Sequence, residues 1–350
     1  GLITLILLEV LITLLLGGLL FRSGMRLGHV LLRRGATAND LFKGNAFLSL
    51  LFLGLYIGLL LLALNVPQMQ ILPLEWRVYG MQISWTLMRV MLLGFCGLAF
   101  TVTWRTARVQ VFAIGLIGLL GLTGFSAAEA YFLAPIHAEL HNNLQPNGVY
   151  RQTSMSSCAP AALATVLRRW GIESATESSV ARLAGTSRLG TSMPQLIVAA
   201  QGFDMDGVEL APSWEQMLRI NRPGVLGVWL IDRGRKLPHA VALLAMTQDR
   251  VAIGDPARGR IYALTQAQFA RIWRQQYVPI FRSGEDILTP GQVDEYLRQL
   301  GYGATQNRQQ ALRQFQAAVG VKQTGELDRQ TSLLLSGAFL QGVPTLSKNL

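Results

Sequence analysis

Four apolar runs fill the first 133 residues of this 350-residue chain, and each is long enough to cross a bilayer. They cover 2–21, 46–66, 83–104 and 109–133. Residues 1–133 are therefore expected to form a four-helix transmembrane bundle. Composition agrees: 51% of residues are apolar and 15% charged, against about 25% charged in a soluble domain. That excludes a disordered chain and a wholly soluble one. The first run lacks a basic n-region and an Ala-x-Ala cleavage site, so it reads as a retained span.

Loop charges set the expected orientation. Arg22, Arg26, Arg33, Arg34 and Lys43 follow the first run, Arg77 stands alone after the second, and Arg105 and Arg108 follow the third. Basic loops stay on the cytoplasmic side. The chain is then expected to start outside and to return outside after four crossings. Everything beyond about residue 134 would lie in the periplasm or its equivalent, with membrane lipid as a partner. Two ionisable residues fall inside spans at similar depth, Glu9 at about 12 Å and Arg89 at about 9 Å. Two readings stand: the charges pair, or Arg89 snorkels outward while Glu9 takes up a proton. Gly115, Gly118, Gly121 and Gly124 in the fourth run suggest a helix-packing surface. Cys96 reads as a small packing residue.

Several functions are excluded. Two cysteines rule out a disulfide scaffold, and the absence of GxxxxGK[ST] rules out a nucleotide-driven motor in this chain. No cluster of Cys and His has zinc-ligand spacing, so no metal or other cofactor is expected. The net charge of +11 divides as +5 over 1–133, +6 over 134–282 and zero over 283–350. The neutral tail is not a nucleic-acid arm, and no nucleic-acid partner is expected. The basic middle segment suits lipid headgroups or a solvated surface.

The chemistry centres on Cys158. From Ala159 the residues Ala162, Leu163, Val166, Leu167 and Trp170 recur at helical spacing, with Ser157 as a candidate N-cap and Pro160 in the first turn. That places Cys158 at a helix N-terminus, where the dipole and free N–H groups favour a thiolate. Gln152, six residues earlier, is a candidate to aim its amide at the same point. The only histidine between 148 and 282 is His239, heading an apolar stretch that reads as a buried strand. A turn, a second strand over 251–253 and Gly254-Asp-Pro-Ala-Arg-Gly259 follow, and this hairpin would return Asp255 to His239. Cysteine attack on a carbonyl needs a histidine to move the proton and profits from a carboxylate that orients the ring. The alternative is a packed thiol at a helix start and a histidine capping a strand.

Gln-x5-Cys at a helix start, a histidine leading a strand and Asp-Pro-x-x-Gly together resemble the double-glycine (bacteriocin-processing) peptidases. Gly190-Thr-Ser-Met, the helix over 194–201 and Phe269-x3-Trp273 are similar as well. The resemblance implies an α+β papain-like cysteine peptidase fold over 148–282, with a peptide or protein substrate. It implies roles for Gln152 (oxyanion), Cys158 (nucleophile), His239 (base and acid) and Asp255 (orienter). The residue before the cysteine, usually acidic in that family, is Ser157 here.

Residues 134–147 read as a juxtamembrane linker. Within it His137 and His141 have the spacing of an interfacial helix or of a metal pair lacking a third ligand. Beyond the peptidase segment, 286–340 reads as a small three-helix module. Leu-Gly-Tyr at 300–302, Ala-Leu-x2-Phe-Gln at 311–316, Gly-Val at 320–321 and Thr-Gly-x-Leu-Asp at 324–328 resemble a peptidoglycan-binding domain. A core that small is marginal alone, and docking on the peptidase segment would support it. Three functions therefore compete. They are a membrane-anchored cysteine protease on the outer face, a cell-wall cysteine hydrolase or amidase, and a non-catalytic scaffold between membrane and wall.

Overall fold

A computed structural model describes residues 2–35, 37, 47–66, 69, 71–303 and 307–346. The chain divides into two compact units, Gly1–Ala134 and Pro135–Leu350.

The first unit is helical: α1 (Leu2–Arg33), α2 (Phe47–Asn65), α3 (Leu74–Thr106) and α4 (Gln110–Leu133). Among the described residues, Leu7–Arg33, Gln82–Thr106 and Gln110–Leu133 are long and apolar enough to cross a membrane. Helix α2 falls on the second apolar run, while Lys43 of the first basic loop lies outside the described residues. Helix α1 continues twelve residues past its apolar run, because nothing breaks the helix before Gly35, whose φ of 84° ends it.

Arg89 pairs rather than snorkels. Its guanidinium lies 2.9 Å from Glu9 and 2.7 Å from Glu129, so one cation on α3 is held by carboxylates from α1 and α4. Glu129 was not anticipated from the sequence. The expected glycine surface on α4 is only partly a contact. A Cβ at Gly121 would stand 2.7 Å from Leu92 and one at Gly118 3.2 Å from the Cys96 sulfur, while Gly115 and Gly124 face open space. A closer backbone approach lies between α1 and α3. There a Cβ on Gly24 would meet the Gly94 carbonyl at 2.1 Å, and one on Gly97 the Phe21 carbonyl at 2.2 Å.

The second unit is built on a six-stranded antiparallel sheet in the order β3-β8-β4-β5-β6-β7. Its strands are β3 (Met205–Gly207), β4 (Gly224–Asp232), β5 (Arg235–Met246), β6 (Arg250–Asp255), β7 (Arg260–Thr265) and β8 (Trp273–Arg282). A two-stranded hairpin, β1 (Asn143–Leu144) with β2 (Tyr150–Arg151), precedes it. The cysteine helix, α5 (Cys158–Arg169), is buried at every residue from Ala159 to Leu167. It is therefore a central helix. Its small residues let it sit between β5 and two further helices, α6 (Glu177–Ala184) and α7 (Met193–Gln201).

Residues 135–147 are folded, not a free connection. Ile136 and Leu140 are buried against Ala181 of α6, and His137–Glu139 form a single 3-10 turn. The interfacial helix expected around His137 and His141 is thus absent. Ser178 donates to the His137 carbonyl, and the His141 N–H donates to Thr153.

Helix α8 (Trp214–Ile220) and helix α9 (Gln266–Ile272) flank the sheet, and three more helices follow it: α10 (Pro290–Gln299), α11 (Arg308–Val319) and α12 (Arg329–Ser336). Thr289, Asn307 and Asp328 cap the last three with side-chain acceptors. These three helices share one core with the sheet: Phe315, Leu333, Leu334 and Leu335 join Met217, Ile220, Tyr277 and Phe281. Arg222 is the polar centre of that contact. Its side chain is 1% exposed, pairs with Glu285 at 2.9 Å and donates to the Leu333 carbonyl and the Ser336 hydroxyl. Arg329 bridges Asp286 at 2.6 Å and Asp206 at 2.7 Å. A Cβ at Gly337 would stand 1.8 Å from the Arg219 carbonyl, so only glycine lets the chain pass there.

Candidate active site

Three elements bring three of the expected residues together. Cys158 opens α5. His239 lies on β5, opposite Val228 of β4, and Asp255 ends β6. The β5–β6 hairpin returns Asp255 so that its Oδ1 stands 2.7 Å from His239 Nε2, with both side chains largely buried. The same Oδ1 accepts the Ala257 N–H at 2.9 Å, which fixes the carboxylate within its Asp-Pro turn. The Gln152 N–H donates to the Pro256 carbonyl at 2.9 Å, tying the loop before the cysteine to that turn.

The electrostatics favour an ion pair. Burial disfavours charge on the Cys158 thiol, but a hydrogen bond from His239, its charge and the N–H groups of Ala240 and Ala159 outweigh it. The thiol is held below its ordinary value. Burial also opposes charge on His239, yet hydrogen bonds to Asp255 and Cys158 and the charges of both raise the imidazole to about 9. With Nε2 on Asp255, the other ring nitrogen, Nδ1, serves Cys158. The two shifts have the signs of a thiolate–imidazolium pair, the reactive form of a cysteine nucleophile.

The Gln152 side chain is held within its own loop. One N–H of its amide donates to the Ser154 carbonyl at 2.8 Å, and its Oε1 is buried with no partner among the described residues. The amide carries a second N–H, which leaves a donor for a ligand. Ser157 occupies the N-cap position without capping through its side chain. Its hydroxyl instead donates to Glu177 at 2.6 Å.

Two participants were missed by sequence reasoning. The Ala240 N–H facing the thiol has no side-chain signature. Glu177 lies nineteen residues beyond the cysteine, and its only sequence signal is the helix start Thr176-Glu-Ser-Ser. Among the described residues no group of three or more His, Cys, Asp or Glu is arranged to hold a metal.

Residues 147–285 match the Peptidase C39 family. An uncharacterized protein of Methanothermobacter thermautotrophicus is 35% identical over 127 residues, 36% of this chain and 82% of its own length. An uncharacterized protein of Methanothermobacter marburgensis is 38% identical over 115 residues, 32% of this chain and 74% of its own. Among solved structures, the peptidase domain of Streptococcus ComA, a bi-functional ABC transporter involved in a quorum sensing pathway, aligns with 39% of this chain and 98% of its own. Its identity is 17% and its TM-score 0.35. A double glycine motif protease from an AMS/PCAT transporter, in complex with the leader peptide, aligns with 38% of this chain and 90% of its own, at 21% identity and TM-score 0.31. Residues 147–285, which carry Cys158, His239 and Asp255, are a Peptidase C39 family domain, and the protein is a cysteine peptidase.

Proposed function

We propose that the protein is a membrane-anchored peptidase that cleaves a peptide or protein substrate through Cys158 on the outer face of the membrane. The observation that carries this reading is the series Cys158–His239–Asp255, with the 2.7 Å His239–Asp255 contact and a thiol held below its ordinary value. In this reading the Cys158 thiolate attacks the scissile carbonyl carbon, and the tetrahedral oxyanion is met by the Cys158 N–H and the Gln152 amide. His239 then gives its proton to the leaving amine as the C–N bond breaks, leaving a thioester on Cys158. It next takes a proton from the water whose oxygen attacks the thioester; the C–S bond breaks, the acid product leaves and the thiolate–imidazolium pair is restored. Asp255 keeps the ring oriented and supports its charge.

The outer-face placement rests on the Arg and Lys of the first and third loops and on four crossings, with α2 as the second. Double-glycine leader peptides are the first substrates to try, because the sequence resemblance names them. The motifs of 286–340 support peptidoglycan as a partner, which co-sedimentation with purified sacculi would test. For the peptidase reading itself the test is peptide cleavage by the full chain in detergent, compared with Cys158→Ala. Loss of cleavage in the variant supports it, and undiminished cleavage refutes it.

A further inference from the structure

The loop between Gln152 and Cys158 is held from outside the catalytic set. Glu177 is fully buried, and a buried carboxylate is tolerated only when its oxygens are satisfied. Its three hydrogen bonds all come from this one loop. The Thr153 N–H donates to Oε1 at 2.8 Å, the Thr153 hydroxyl to Oε2 at 2.8 Å, and the Ser157 hydroxyl to Oε1 at 2.6 Å. The chain of contacts continues inward. Ser157 Oγ accepts the Ser154 N–H at 3.1 Å, and the Ser154 carbonyl accepts the Gln152 amide at 2.8 Å. Glu177 is therefore linked to the Gln152 side chain by hydrogen bonds that meet at the Ser154 backbone. At its outer end the support is stiff. Glu177 is the first residue of α6, which is started by a reciprocal Thr176–Ser179 capping box and packed on Ile136 and Leu140. Hydrogen bonds to a carboxylate are stronger than neutral ones, and here they restrain a six-residue loop that has no regular secondary structure.

We propose that Glu177 is a positioning residue for the reaction: acting through Thr153, Ser157 and Ser154, it sets where the Gln152 amide stands over the developing oxyanion. This inference rests on the peptidase reading above, in which Gln152 is an oxyanion donor. A donor displaced by about 1 Å forfeits much of its effect, so the loss of Glu177 is felt in the transition state.

The test uses a reaction that needs no oxyanion hole. Alkylation of Cys158 by iodoacetamide is a displacement at an sp3 carbon and forms no tetrahedral oxyanion, whereas peptide cleavage does. Glu177→Gln in the full chain replaces one acceptor oxygen by an N–H2 group at nearly constant shape. It is expected to lower kcat by between about tenfold and a hundredfold, with KM and the alkylation rate of Cys158 within about twofold of wild type. Adding Glu177→Gln to Gln152→Ala is expected to lower kcat no further, because both act on one donor. If Glu177→Gln does not fold, Thr153→Val removes the Oε2 contact, together with the acceptor of the His141 N–H, while keeping both Oε1 contacts, and is read by the same three measurements. Unchanged kcat, a parallel fall in alkylation rate, or losses that multiply in the double variant would each overturn the proposal. Cys158→Ala in the same assay separates the two levels. Turnover that survives it sinks the peptidase reading and this inference with it. Turnover lost in Cys158→Ala but intact in Glu177→Gln sinks only the inference.

Discussion

His239 uses Nε2 to meet Asp255 at 2.7 Å, which commits the opposite ring nitrogen to Cys158. The order of the three groups therefore follows from the β5–β6 hairpin, which brings a carboxylate to the far side of the ring from the thiol.

The pair should be visible in the pH profile of kcat/KM. The active form is thiolate with imidazolium. It is gained as pH rises through the lowered value of Cys158 and lost as His239 gives up its proton near 9. We expect a bell whose alkaline limb lies near 9. Asp255→Asn removes a charge and a hydrogen bond that raise the imidazole, so the alkaline limb should move down while part of the turnover survives. An alkaline limb that stays in place would show that Asp255 does not support the ring.

The two cysteines should differ sharply in reactivity. Cys158 faces His239 and backbone N–H groups, whereas Cys96 is buried in α3 with its sulfur turned toward Gly118 of α4. Iodoacetamide at neutral pH should label the Cys158 peptide far faster than the Cys96 peptide, as read by mass spectrometry. Equal labelling would remove the argument for an activated thiol.

Gln152→Ala should lower kcat by about a hundredfold, the usual loss for one oxyanion donor, with an unchanged thermal melt. Full turnover in that variant would leave the oxyanion to backbone N–H groups alone.

The last three helices should not be dispensable. A chain ending at residue 285 loses Phe315 and Leu333–Leu335 from the shared core and leaves Arg222 without its Leu333 and Ser336 acceptors. Arg222→Met in the full chain is the milder probe. It leaves Glu285 uncompensated, and breaking such a pair costs about 3–5 kcal/mol. We expect a melt lowered by about 10 °C. A melt within a degree of wild type would mean that Arg222 does not pin these helices to the sheet.

Topology is checked by reporter fusions. An enzyme active only outside the cytoplasm should work at residue 345 and be silent at residue 30. The reverse pattern would overturn the outer-face proposal.

Much of the second unit was legible because its chemistry is carried by unusual residues at fixed spacing. A cysteine at an apolar helix start, a single histidine before a strand and an Asp-Pro turn left few ways to combine. What escaped depended on distance in the chain. Glu177 and Glu129 are single acids whose partners lie 20 or more residues away, and nothing local distinguishes them from solvated carboxylates. Docking of α10–α12 on the peptidase segment was expected from the small size of their own core, but the residues that make the contact escaped for the same reason. Residues such as Leu333 read as the inner face of a small bundle, whereas Arg222, on the loop before β4, is what carries that bundle onto the sheet.

The most direct measurement is peptide cleavage by the full chain and by Cys158→Ala at matched concentration, each checked by a thermal melt. Turnover by the wild type, none above background in the variant, and identical melts are expected. Cleavage by a folded Cys158→Ala protein at the wild-type rate would contradict it.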